Sequence, residues 1–338
     1  MKILHIGGLH FSTLALCNAQ IAAGHTVISS GISPAAPPLL YARNDPRRSP
    51  ASEEIISGSF DLAHYHALPE NRPMRSASPP RRSQSTDPQG ACALMDDSAL
   101  LASLSRRGVP IVFSACSREL LSESTSSADA LKRLLSSFAH VFLSRTEQLP
   151  LLDPAKKWSW LPQPVDPASF AFQQPSEPAA QNVRILHIPF DFSPDDTDSV
   201  IDAVARLRSR GLRFHFTFSA PSEFKTEADL ISALAAADLF IEDLQNSCPG
   251  PLAVLAMSLG KTVISGNSRQ ARAAWKPLQD CPVLHADAGS IFKRLDALIR
   301  EPRSLRDIGR RSRAYVERYH AATVVAAQAL EVYKRLLN

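Results

Sequence analysis

The groups best able to do chemistry fall in three stretches of the sequence. In NSCPGPLAVLAMSLG (residues 246–260) a helix opens at Gly250 and Pro251. Proline suits the first helical position because its missing N–H would find no partner there. The N-terminus formed by Gly250, Leu252 and Ala253 therefore favours an anion. Asn267, Ser268 and Arg269 leave the next strand in the loop SGNSRQARAAW, where they either reach a ligand or serve as ordinary loop polar residues. Near the start, Gly7 and Gly8 end the apolar run KILHI; such a pair lets a ligand approach the backbone, or simply makes a tight turn. His64 and His66 alternate along FDLAHYHA and point to one face, as a metal pair would, but no third ligand has suitable spacing. Arg145 ends the strand AHVFLS, as a cleft cation or a surface residue.

These groups need a scaffold that brings strand ends together. Strand, glycine turn, helix and strand over residues 2–29 read as a Rossmann opening, and Asp238–Gly266 reads as a βαβ unit with Leu252, Leu255 and Leu259 on one helix face. Gly260 stops that helix. The apolar strands VPIVFSA, AHVFLS, RILHI and LRFHFTF continue the rhythm. In the last of these, apolar residues alternate with Arg213, His215 and Thr217, whereas a parallel strand covered on both faces is apolar throughout. One face has lost its cover. The Pro- and Gln-rich segment 171–181 reads as a linker, which puts the domain boundary near residue 178: an N-terminal Rossmann-like domain over 1–178 and a C-terminal one with closing helices over 179–338. Residues 69–93, crowded with Pro, Ser and Arg, read as a mobile loop, solvated or clasping an anionic acceptor.

Composition narrows the class. A chain of 338 residues, 44% hydrophobic, buries a large core and favours two domains. The net charge of +4 sits largely in Arg-rich stretches at 43–48, 72–82 and 303–313, so no general nucleic-acid partner follows. Cys17, Cys92, Cys116, Cys248 and Cys281 are scattered and form no Cys-x-x-Cys pair; they read as reduced thiols of a cytoplasmic protein, with Cys116 a buried small residue rather than a nucleophile. No apolar run approaches the roughly 18 residues that span a bilayer.

The run LAMSLGKTVI (residues 255–264) resembles the donor-binding segment of retaining glycosyltransferases of the GT-B fold. So do the interdomain phrase KWSWLPQPVDPASF, the Asp-x-x-His-x-His phrase at Asp61–His66 and the long C-terminal helices. The resemblance covers nearly the whole chain. It implies two Rossmann-like domains facing a cleft, with the C-terminal domain trimmed, because only residues 219–226 separate LRFHFTF from the next helix where the family has a further strand and helix. It further implies a nucleotide-diphosphate sugar as donor, no cofactor or metal, and a glycan, lipid-linked or protein acceptor. Gly7, Gly8, His10, His64, His66 and Arg145 would face the acceptor, and Gly250, Leu252, Ala253, Asn267, Ser268 and Arg269 the donor.

The catalytic features of the family are altered. Its two glutamates fall on Ser247 and Leu255, and its basic pair after the first strand of the second domain is replaced by PFDFSPDDTD, with Asp191, Asp195, Asp196 and Asp198. Its histidine after VPIVFSA is replaced by Ala115, Cys116 and Ser117. Acidic residues there repel a diphosphate, although they also cap helices. Two readings follow: a glycosyltransferase with Arg269 or Arg145 standing in for the lost cations, or a catalytically silent GT-B module that binds another protein or an active glycosyltransferase. Arg306, Arg310, Arg311 and Arg313 form either a solvated helical face or a peripheral contact with an anionic membrane.

Overall fold

The computed structural model describes residues 1–6, 11–30, 59–67, 98–115, 135–146, 157–170, 182–189 and 194–338, with 149, 152 and 172. Gly7, Gly8, His10, Cys92, Cys116 and the loop at 69–93 lie outside these residues, as do Asp191 and most of the expected linker.

Among the described residues, two all-parallel sheets organise the chain. The first has six strands, β1 (Lys2–Ile6), β2 (Thr26–Ser30), β3 (Leu62–Ala67), β4 (Ile111–Ala115), β5 (His140–Leu143) and β6 (Trp158–Trp160), in the order β2-β1-β3-β4-β5-β6. The second has β7 (Arg184–His187), β8 (His215–Phe218), β9 (Leu239–Ile241), β10 (Thr262–Ser265) and β11 (Leu284–His285), in the order β11-β10-β9-β7-β8. Both orders reverse direction beside their first strand. The crevices between β1 and β3 and between β7 and β9 are thus topological switch points, where open α/β sheets bind ligands.

Around the first sheet lie α1 (Phe11–Ala22) and α2 (Ser98–Arg106). The second carries α3 (Pro194–Ser209), α4 (Glu227–Ala236), α5 (Pro251–Ser258), α6 (Arg269–Ala274) and α7 (Ile291–Arg300). α5 is apolar on every side and wholly buried, and Gly260, at φ +79°, closes its C-terminal turn in a conformation other residues resist. The alternation in LRFHFTF has a plain cause. Arg213, His215 and Thr217 are exposed while Phe214 is buried, so one face of β8 lies open as the alternation implies, and among the described residues β8 is an edge strand paired with β7.

The closing helices α8 (Arg303–Tyr319) and α9 (Ala322–Leu337) join the two halves. α9 lays Val325, Ala326, Ala329, Leu330 and Tyr333 against Ile3, Leu16, Leu62 and Phe142 of the first domain. Arg313 is removed from the set expected to meet solvent or a membrane. Its guanidinium donates to the carbonyls of Phe170 (3.1 Å), Ser258 (2.6 Å) and Pro167 (2.9 Å), pinning the interdomain segment to α5 and α8. Trp160 stacks on Trp275 across the same junction, with ring centroids 5.7 Å apart. Among the described residues, no helix is long and apolar enough to cross a membrane.

Candidate functional site

The carboxyl ends of both sheets meet where the two domains touch. From the end of β5, Arg145 Nη1 donates to Asn246 Oδ1 at 2.8 Å, and the Thr146 hydroxyl donates to Ser247 Oγ at 2.8 Å. Arg145 is buried at this seam. Ser247, which occupies a position where the resembled family has glutamate, thus fastens one domain to the other.

On the side of the second sheet, the anion-favouring helix terminus already has an occupant. Glu242 follows β9 directly and is fully buried. Its Oε2 accepts the Gly250 N–H (2.8 Å) and the Ser265 hydroxyl (2.8 Å), and its Oε1 accepts the Ala253 N–H (2.9 Å). Both oxygens accept, the pattern of an ionised carboxylate. Burial raises its pKa, opposed by these three hydrogen bonds and by the charge of Arg145. Leu252, Ala253 and Leu255 are buried. Of the expected donor residues, Gly250 and Ala253 therefore spend their N–H groups within the chain.

Asp196 behaves similarly. Expected as a repelling charge or a cap, it caps the neighbouring loop rather than its own helix. From α3 it crosses the β7/β9 crevice, where Oδ2 accepts the N–H groups of Leu244 and Gln245, both at 3.0 Å. His187, at the end of β7, bridges the same crevice through the Ile241 carbonyl (3.0 Å) and the Thr197 hydroxyl (3.3 Å), and burial lowers its pKa.

The loop after β10 completes this edge. A Cβ on Gly266 would lie 1.4 Å from the Asn246 carbonyl oxygen, so the two loops pack backbone to backbone and position 266 admits only glycine. Asn267 is 1% exposed, and neither its Oδ1 nor its Nδ2 has a hydrogen-bond partner; Asn246 Nδ2 has none either. Buried amides are ordinarily satisfied, so these unmatched groups require an explanation. Ser268 caps α6 through the Ala271 N–H (3.0 Å), and Arg269 stands exposed at the start of that helix.

On the side of the first sheet, His64 and His66 indeed share a face. A third imidazole joins them from the neighbouring strand, since His5 is in register with His64. The three place one ring nitrogen each within 4.8 Å of the others, the only trio of potential metal ligands so close among the described residues. Their nitrogens, however, largely serve one another and neighbouring side chains. His5 Nε2 meets Gln20 Oε1 at 2.8 Å and therefore carries a proton, leaving His5 Nδ1 to accept from His66 Nε2 at 2.8 Å. His64 hydrogen-bonds Tyr333 of α9 and the Ser114 hydroxyl. Burial holds all three neutral, with His5 pushed down to about 4 and His64 and His66 well below their ordinary value. His66 and Ser114 also line a recess with Ser12, Thr13, Ser144 and Gln163.

Sequence spacing missed Glu242, His5, Gln20 and Tyr333. Glu242 left one signal, an acidic pair directly after an apolar strand at the edge where ligands sit. His5 and Tyr333 left none, because strand order and helix docking bring them to His64.

No protein-family model matches the chain, and a search of curated proteins finds no match. Solved structures do match it over its full length. The Anabaena protein HepE, in complex with UDP-glucose, aligns with a TM-score of 0.62 over 99% of this chain and 100% of its own, at 14% identity. The fold is GT-B. A glycosyltransferase from Rickettsia africae aligns with a TM-score of 0.60 over 100% of this chain and 98% of its own, at 13% identity. An alpha-glucosyltransferase in complex with UDP-glucose and DNA containing an abasic site gives 0.59 over 99% of both chains, at 9% identity. The two Rossmann-like domains expected from the sequence are those of this GT-B architecture, and the second sheet has one strand fewer than the first.

Proposed function

We propose that the cleft between the two sheets is a nucleotide-sugar site and that the chain is a glycosyltransferase-like protein acting on a glycan, lipid-linked or protein acceptor. The observation that carries this reading is Asn267, a buried amide with both polar atoms unmatched at the carboxyl edge of the second sheet. A carboxamide is both donor and acceptor, and suits the hydroxyls of a sugar or the edge of a base. The complexes of HepE and the alpha-glucosyltransferase with UDP-glucose support a uridine-linked donor. The recess lined by His66 and Ser114 is the acceptor side, and Arg145 supplies positive charge at the seam. No cofactor, metal or nucleic acid is assigned a role.

A second reading, a catalytically silent module that supports a partner protein, is favoured by one observation: Glu242 takes the N–H groups of Gly250 and Ala253 that would otherwise steady a diphosphate leaving group. Calorimetry with a panel of nucleotide-diphosphate sugars, with Arg269→Ala beside the wild type, separates the two. Micromolar binding that weakens in the variant supports a working donor site; no binding by any panel member supports the silent module.

A further inference from the structure

Glu242 and Asp196 together spend four backbone N–H groups, those of Gly250, Ala253, Leu244 and Gln245, on the chain's own carboxylates. All four lie in the loop and helix terminus that follow β9, at the switch point of the second sheet. Since Pro251 has no N–H, Leu252 holds the remaining free donor of the first turn of α5. The Glu242 contact is closely fitted. A Cβ on Gly250 would lie 2.7 Å from Glu242 Oε1, so the carboxylate is seated against a glycine; Ser265 adds a third donor, and Arg145 faces it with opposite charge. A carboxylate presents two acceptor oxygens from one centre, as one edge of a phosphate does. Beside it, Asn246 Nδ2 and both polar atoms of Asn267 remain unmatched and uncharged.

Taking the cleft as the donor site proposed above, we infer that Glu242 is its specificity-determining residue: a built-in occupant of the anion position that keeps ligand phosphate away from α5. The edge then engages a ligand through its neutral nucleoside or sugar part, by way of Asn246 and Asn267. Removing the carboxylate frees two N–H groups and the Ser265 hydroxyl and deletes a negative charge from the position a phosphate would take.

The test is calorimetric titration of uridine, uridine diphosphate and inorganic pyrophosphate into the wild type, Glu242→Ala and Glu242→Ser, with thermal melts to establish folding. A folded variant binds uridine diphosphate and pyrophosphate at least tenfold more tightly than the wild type, and uridine no more tightly. Folded variants that gain nothing overturn the inference. If neither variant folds, amide exchange on the wild type decides: the Gly250 and Ala253 amides are protected without ligand and unchanged by millimolar pyrophosphate, and a change there overturns it. A wild type that binds no nucleotide-sugar beside a variant that gains phosphate binding removes the donor reading and keeps this inference. A wild type that binds donor beside variants that gain nothing does the reverse.

Discussion

Lowering the pH from 7 to 5 should strip this fold of much of its stability through its buried histidines. His5 and His320 are 1% and 5% exposed, and burial pushes each down to about 4. The direction follows from linkage. In the unfolded chain each takes up a proton near pH 6.5, while in the fold each stays neutral until about pH 4. Stability is therefore full above 6.5, falls as the pH drops through that window, and levels off below the folded value. Between pH 7 and 5, each contributes a loss of about 2 kcal/mol by that linkage, so His5 and His320 together lose about 4 kcal/mol. His64 and His66 move in the same direction and add to it. Glu242, with its pKa raised, opposes the loss as it takes up a proton. Against a typical total of about 5–15 kcal/mol, acid alone brings the protein near unfolding. Urea titrations at pH 7, 6 and 5 give the slope directly. His320→Asn retains a donor for the Gln163 carbonyl that His320 Nδ1 now meets at 2.9 Å, and should remove one histidine's share, about 2 kcal/mol, from the drop. Stability that is flat from pH 7 to 5, or a slope unchanged in His320→Asn, refutes the reasoning.

Tyr333→Phe deletes the hydroxyl that serves His64 and Gln20 and should cost about 1–3 kcal/mol, read from the urea midpoint. Gly250→Ala, whose methyl would press on Glu242 Oε1 at 2.7 Å, should cost about 1–3 kcal/mol in the wild type and markedly less beside Glu242→Ala, a coupling measured by a double-mutant cycle. Arg313→Ala releases three carbonyl contacts between the interdomain segment, α5 and α8, and should lower the melting temperature by several degrees, about 2–3 kcal/mol for a guanidinium in such a position.

Much of the scaffold was legible because its signals are local. The 3.6-residue spacing of Leu252, Leu255 and Leu259, the glycine at 260 and the apolar strand runs each depend on near neighbours, and the helices and strands follow them. The alternation in LRFHFTF likewise marked the open face of β8, on which Arg213, His215 and Thr217 are exposed. The site was less legible because its decisive contacts follow from how strands and helices are placed, which no periodicity along the chain reports. Glu242 reaches Gly250 and Ala253 only because β9 and α5 fold back on each other, and Asp196 reaches Leu244 only because β7 and β9 are adjacent. Asp196 was visible as an acidic residue, yet its partner was not. The histidine pair was visible by alternation, while its third member came from strand order. The fold is therefore legible in periodicity; the state of the helix terminus, empty or filled, is set by tertiary placement.

The most direct test of the cleft as a nucleotide-sugar site is saturation-transfer NMR of UDP-glucose with the wild type and Asn267→Leu. Leucine keeps the number of side-chain heavy atoms while removing two unmatched buried polar ones, and a thermal melt of the variant establishes that it is folded. The account predicts saturation of the sugar and base protons by the wild type and its loss in the variant. No saturation at millimolar ligand, or equal saturation in both proteins, contradicts it.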